Sequence, residues 1–181
     1  MIKNVHFYLY NNVIILYTYY VKLFYWMLEM SNEMTEVQKF RVMHYTEIAE
    51  LIKGLHEKFG DEVYKTVAKL NGKKAFNEWK SIAEKNGNNS IDELIKLLWE
   101  PLKNEGFQYE IEKTETGVQF KCTYCPIVDL AKYLGITKEG LYMFCQNDYY
   151  IAEGFNPKIG LKRTKTLMEG HDCCDHFYYM K

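Results

Sequence analysis

Val37, Phe40, Arg41, His44, Ile48, Leu51, Ile52 and Leu55 recur at spacings of three and four, the period that lays one stripe along an α-helix. They predict a helix over residues 34–59, with Gly60 and Asp61 as punctuation. Val63, Val67 and Leu70 predict a second helix over 61–71, and Phe76, Trp79 and Ile82 a third over 73–85. After "NGNNS", Ser90 followed three residues on by Glu93 has the form of a capping box. The fourth helix it opens is expected to run to about Trp99 and end near Pro101.

At Gly106 the period drops to two. Phe107, Tyr109 and Ile111 alternate, a turn falls at 115–117, and Val118, Phe120 and Cys122 alternate back. This predicts a hairpin over 107–123 in which Cys122 points to the apolar side with Val118 and Phe120. Pro126 opens a short helix closed by Gly135, and residues 138–154 read as another, with Cys145 and Asp148 one turn apart. An extended stretch over 158–168, a turn at "EGHD" and a last strand "CCDHFYYM" complete the chain. On that strand Cys174, His176 and Tyr178 share one face, and Cys173, Asp175 and Phe177 the other. The fold class expected is α+β: N-terminal helices packed on an antiparallel sheet, one domain over 35–181 with a Cys-rich C-terminal half.

Residues 1–30 stand apart. They are rich in Ile, Lys, Asn, Phe and Tyr, the residues that AT-rich codons encode. The expectation is a misplaced start, with Met30 or Met34 beginning the native protein; a membrane anchor fits less well. The apolar run over 13–28 is shorter than the roughly 20 residues that span a bilayer.

Composition narrows the classes. With 48% hydrophobic residues the chain has material for a sizeable core, and a formal charge of −1 gives no reason to expect a nucleic-acid partner. Five cysteines, an odd number with two of them adjacent, and no cleavable signal peptide point to a reduced, cytoplasmic setting.

The candidate chemistry lies in the second half. Cys122 and Cys125 form C-x-x-C where a strand gives way to a helix, and amides at a helix N-terminus stabilise a thiolate, which predicts a lowered pKa for Cys125. The pair suits buried packing first, then a metal half-site or a redox dithiol. Cys145, Asp148 and the cluster His171, Cys173, Cys174, Asp175 and His176 could supply further ligands. Zinc remains open although the finger spacing is not met, and Cys122, Cys125, Cys145 and Cys174 would satisfy an iron–sulfur cluster. Without a metal, Cys174 and His176 on one face suggest a nucleophile and its base. Arg163 and Lys165 could hold a carboxylate or form a solvated edge, and Tyr149 could line a pocket.

The succession "CTYCP", "FCQND" and "FNPKIGLKRTKTLMEGHDCCDHFY" resembles the L-2-amino-thiazoline-4-carboxylic acid hydrolase family, over residues 37 to the end and most specifically over 122–177. Cys125 with Pro126, Cys145 with Asp148, and Thr166, Leu167, Gly170 and Cys174 carry the match in order and spacing. The resemblance implies hydrolytic opening of a small heterocyclic ring such as 2-aminothiazoline-4-carboxylate. It would use Cys174 or Cys125 as nucleophile, His176 or Asp148 as proton carrier, and Arg163 as carboxylate anchor. The closing G-x-x-x-C strand is also similar, more weakly, to vinyl-reductase-type small-molecule-binding domains, which implies a ligand- or metal-binding module without turnover.

Overall fold

The computed structural model describes residues 35–181, so the expectations for residues 1–30 lie outside the described residues. Contacts divide the chain into Met1–Tyr45 and Thr46–Lys181. Helix α1, Glu36–Phe59, begins in the first unit, where Phe40 stacks on His44 with ring centroids 5.8 Å apart. Within the second unit the same helix buries Thr46, Ala49 and Ile52.

Helix α2 runs unbroken over Glu62–Asn86. The break expected at residues 71–72 is absent because Gly72 serves packing: a Cβ there would lie 2.3 Å from the Tyr150 ring, so only glycine lets that ring lie on the helix. Helix α3, Ile91–Asn104, starts as expected, with the Ser90 hydroxyl accepting from the Glu93 N–H at 3.3 Å. It continues past Pro101, which is exposed, so the carbonyl left without its helical donor can meet water. Leu102 beyond the proline packs against the core.

The hairpin forms as β1, Gln108–Lys113, and β2, Gly117–Tyr124. Helix α4, Pro126–Leu134, follows, then α5, Thr137–Gly140, a π-helical turn, Leu141–Cys145, and α6, Asn147–Phe155. The π turn was not legible from periodicity. Here the Gln146 N–H reaches back five residues to the Leu141 carbonyl at 3.1 Å, and the Asn147 side-chain amide donates to the Met143 carbonyl at 3.0 Å.

Strand β3 covers only Ile159–Lys162, and β4 spans Cys174–Met180. The longer extended stretch expected over 158–168 is cut short by Asp175. Its carboxylate accepts from the backbone N–H groups of Thr164 and Lys165 at 2.8 and 2.6 Å and from the Thr164 hydroxyl at 2.6 Å, drawing the chain off the ladder. A 3-10 turn at Leu167–Glu169 follows.

The four strands form one antiparallel sheet in the order β1-β2-β4-β3. One face is buried: Val118, Phe120 and Cys122 of β2 and Cys174 and Tyr178 of β4 form a core with Leu94, Ile95 and Trp99 of α3. Trp99 stacks on Phe120 at 4.7 Å and donates its indole N–H to the Tyr178 hydroxyl at 3.2 Å, which ties helix to sheet. Ile111, expected on the apolar face, is 44% exposed because β1 is an edge strand. Helix α6 packs on α2, with Gly154 so close to Phe76 that a Cβ would lie 2.4 Å from its carbonyl oxygen. The architecture is α+β.

Candidate functional site

Alternation along β2 and β4 aims Cys122, Cys174 and His176 at the buried side of the sheet. Opposite them the end of β2 leads into α4, so Cys125 occupies the N-cap position with Pro126 next. The π turn delivers Cys145 and α6 delivers Asp148. These residues and Arg163 line one cavity of about 160 Å³. Its remaining wall is apolar: Leu98, Trp99 and Leu102 from α3, with Phe107, Ile127, Phe144 and Met168. Of these wall residues Phe107 was marked by the alternation of the hairpin, and the i, i+4 spacing of Leu98 and Leu102 was a further signal.

At one end of the cavity sits a buried polar triad. Asp148 Oδ2 accepts from Arg163 Nη1 at 2.5 Å and meets His176 Nε2 at 3.0 Å. Arg163 Nη1 also donates to the Cys145 carbonyl at 2.8 Å. The Arg163 side chain is only 3% exposed, that of Asp148 24%. Burial works against the guanidinium charge, but Asp148 together with the smaller contributions of Cys145, Tyr149 and Cys174 outweighs it, so the Arg163 pKa lies above its ordinary value. Among the described residues, both side-chain hydrogen bonds of Asp148 go to Oδ2. His176 Nδ1 is buried without a partner among the described residues, and the ring is packed edge-on against Trp99 at 5.1 Å.

The thiols are held neutral. Burial pushes Cys122 up to about 12, reinforced by the neighbouring Cys174 and Cys125. Burial also pushes Cys125 up to about 11, against the pull of the Val128 and Ile127 amides. The helix-terminus effect expected to lower Cys125 is therefore present but outweighed by desolvation. Cys145 is raised by burial and then by the Asp148 charge. Cys174 is raised by burial as well, yet it has two opposing partners: the Leu167 N–H, 3.2 Å from its sulfur, and the Arg163 charge.

Other candidates lie elsewhere. Cys173 turns toward Asp172, Asp175 holds the backbone at Thr164 and Lys165, and the exposed His171 braces Thr166 through Nδ1. Lys165 pairs with Asp172 at 3.1 Å outside the cavity. Tyr149 stands behind the site, with the Arg163 guanidinium 5.2 Å from its ring centroid. Among the described residues no three His, Cys, Asp or Glu side chains converge closely enough to hold a metal ion. Cys122, Cys125, Cys145 and Cys174 share the cavity, although they do not close on a single ion.

Fold and cavity together define a small α+β protein whose helices and one sheet face enclose a pocket of single-ring size. Residues 36–178 match the family described as L-2-amino-thiazoline-4-carboxylic acid hydrolase, and the chain belongs to that family. No curated protein matches the chain. Its fold is shared by solved structures, among them the following two. One is a trafficking protein particle complex subunit 3 from Naegleria fowleri, covalently bound to palmitic acid: TM-score 0.51, 13% identity, covering 79% of this chain and 96% of that one. The other is the phenol-responsive sensory domain of the transcription activator PoxR with phenol: TM-score 0.51, 11% identity, covering 75% and 73%. No helix among the described residues is long and apolar enough to cross a membrane.

Proposed function

We propose that this protein is a hydrolase that opens a small heterocyclic ring at a C–N or C–S bond, with 2-aminothiazoline-4-carboxylate as the substrate type. The observation that supports this reading is the convergence of Cys174, Cys125, Asp148, His176 and Arg163 on one cavity of about 160 Å³. That is well below the roughly 300–1,000 Å³ of sites for drug-sized ligands, and suits one small ring.

In the proposed reaction the Cys174 sulfur adds to the amidine-like ring carbon as its proton passes to the amidine nitrogen, and the tetrahedral adduct then breaks its bond to the ring heteroatom. Cys174 is the nucleophile because the Leu167 N–H and Arg163 favour its thiolate. Cys125, which burial still pushes up to about 11 despite the Val128 and Ile127 amides and which lacks a facing cation, stays a neutral wall. Asp148 Oδ1 accepts from the amidine N–H and carries the proton to the leaving ring heteroatom, while His176 and Arg163 hold Oδ2 in place. The remaining N–H groups of Arg163 receive a ring carboxylate, and Tyr149 supports the guanidinium from behind. Water then cleaves the sulfur-linked intermediate and restores the Cys174 thiol, so one water is consumed per ring opened.

A second reading, a small-molecule-binding module without turnover, draws on the neutral thiols, the apolar walls, and the ligands named with the two structures of similar fold. One experiment separates the two. The purified full chain is incubated with 2-aminothiazoline-4-carboxylate, and ring-opened product is followed by liquid chromatography with mass detection. Turnover lost in Cys174→Ala supports the hydrolase. Saturable binding by calorimetry with no product, or equal turnover in the variant, overturns it.

A further inference from the structure

Cys122 and Cys174 are direct partners across the antiparallel ladder of β2 and β4. Both thiols are free, both side chains lie on the buried face, and both line the cavity. Opposed residues of an antiparallel pair hold their Cβ atoms about 4.5–5.5 Å apart, and a disulfide needs about 3.5–4.5 Å. The shortfall is about 1 Å. The ladder can yield that distance here more readily than elsewhere, because this pair is the last of its register and Cys174 is the first residue of β4. On the other side of β2 the register slips between Gln108 and Tyr109, leaving Thr123 unopposed beside Cys122. Such a bulge bends and twists the strand locally.

The two sulfurs are also differently prepared. Cys174 accepts the Leu167 N–H at 3.2 Å, a contact that favours thiolate, whereas Cys122 donates its own proton to the Tyr124 carbonyl at 3.3 Å. One is set to attack and the other to resolve. Cys173 faces away and Cys145 lies on the π turn, so neither shares this pairing.

We infer that Cys122 and Cys174 form an oxidisable pair, joined by a disulfide when a small two-electron oxidant such as hydrogen peroxide enters the cavity. The Cys174 thiolate attacks one peroxide oxygen; the O–O bond breaks, a sulfenic acid forms, and the departing hydroxide takes up a proton as water. The Cys122 sulfur then attacks the Cys174 sulfur, the S–O bond breaks, and the hydroxide leaves with the Cys122 proton as a second water. Two thiols lose two electrons and the peroxide gains them. The bridge itself does not depend on the hydrolase reading, whereas the loss of turnover it would cause does.

The test uses the full chain, reduced, then exposed to near-equimolar hydrogen peroxide, alkylated, digested and mapped by mass spectrometry. The expected result is a linked peptide pair containing Cys122 and Cys174, an intact mass lower by two hydrogens, and full reversal by dithiothreitol. Cys122→Ser should instead accumulate a Cys174 sulfenic acid that dimedone traps. A dominant Cys122–Cys125 or Cys125–Cys174 linkage, or alkylation of both thiols at the rate seen before peroxide, overturns the inference. Should Cys122→Ser fail to fold, the linkage map of the unsubstituted chain decides alone. Ring-opening assayed on the same samples keeps the two ideas apart: a bridge with undiminished turnover sinks the role of Cys174 in hydrolysis and leaves the bridge standing.

Discussion

Asp148→Asn keeps the size of the side chain and removes its charge, leaving the Arg163 guanidinium, 3% exposed, without a counter-ion. At an effective dielectric of about 20, opposite charges 4 Å apart attract by about 4 kcal/mol. Removing one partner of a buried pair commonly costs about 3–5 kcal/mol, because the other charge stays behind in a poor solvent. The 24% exposure of Asp148 lets water relieve part of that penalty. The amide oxygen can also still accept from Arg163. The expected loss is therefore about 3 kcal/mol, read as a lower urea midpoint at pH 7 with an unchanged slope. Arg163→Gln removes the stranded charge, so the double variant should be more stable than the sum of the single losses implies, with a coupling of about 1–3 kcal/mol. A loss under about 0.5 kcal/mol, or strict additivity in the cycle, would refute the claim that this pair is an energetic unit rather than a solvated contact.

Three further outcomes follow from the same geometry. Cys174→Ser should lower ring-opening at least about 100-fold while Cys173→Ser, whose side chain faces Asp172, stays within about two-fold; equal losses measured by product formation would show that strand face does not decide reactivity. Cys122 and Cys125 have folded pKa values raised to about 12 and about 11 against about 8.5 for a free thiol, so their contribution to stability is complete below about pH 8.5 and is lost as pH rises toward those values. Between pH 8.5 and 10.5 unfolding titrations should therefore show stability falling by up to about 1.4 kcal/mol per pH unit for each thiol, more steeply than in the Cys122→Ala, Cys125→Ala variant; parallel profiles would count against burial as the cause. Gly154→Ala puts a Cβ 2.4 Å from the Phe76 carbonyl oxygen and should cost about 3 kcal/mol, with a thermal midpoint unchanged within error as the contrary result.

The hairpin was legible because burial on one side writes itself into spacing, and the start of α3 and the ends of α4 because Ser90, Pro126 and Gly135 mark them; the spacing in α1 found the helix but not its buried face, since Phe40, Leu51 and Leu55 are exposed while Val42, Thr46, Ala49 and Ile52 are buried. What failed to show was every feature set by a distant partner. Gly72 reads as a breaker until Tyr150 lies on it, and Arg163 reads as an edge-strand cation until Asp175 pulls the following backbone away and Asp148 takes the guanidinium. The candidate site was legible in the same partial way. Strand alternation put Cys174 and His176 on one face, but nothing in the spacing says that Asp148 and Arg163 arrive opposite them, or that burial reverses the sign expected for Cys125.

The π turn at Leu141–Cys145 works as a vernier between two fittings that could not otherwise be met at once. Downstream, the rotation of α6 is locked to α2 by two glycine contacts, Tyr150 on Gly72 and Gly154 on Phe76. Upstream, Gly140 is seated so that a Cβ would come within 3.0 Å of Met168, a wall of the cavity. One residue of an α-helix turns the chain by about 100°, so an uninterrupted helix one residue shorter could keep the first seat or the second, but not both. The wide turn supplies the missing angle. It makes the phase of this helix, more than the identity of any residue within the turn, the quantity on which the meeting of Cys145 and Asp148 with the sheet depends.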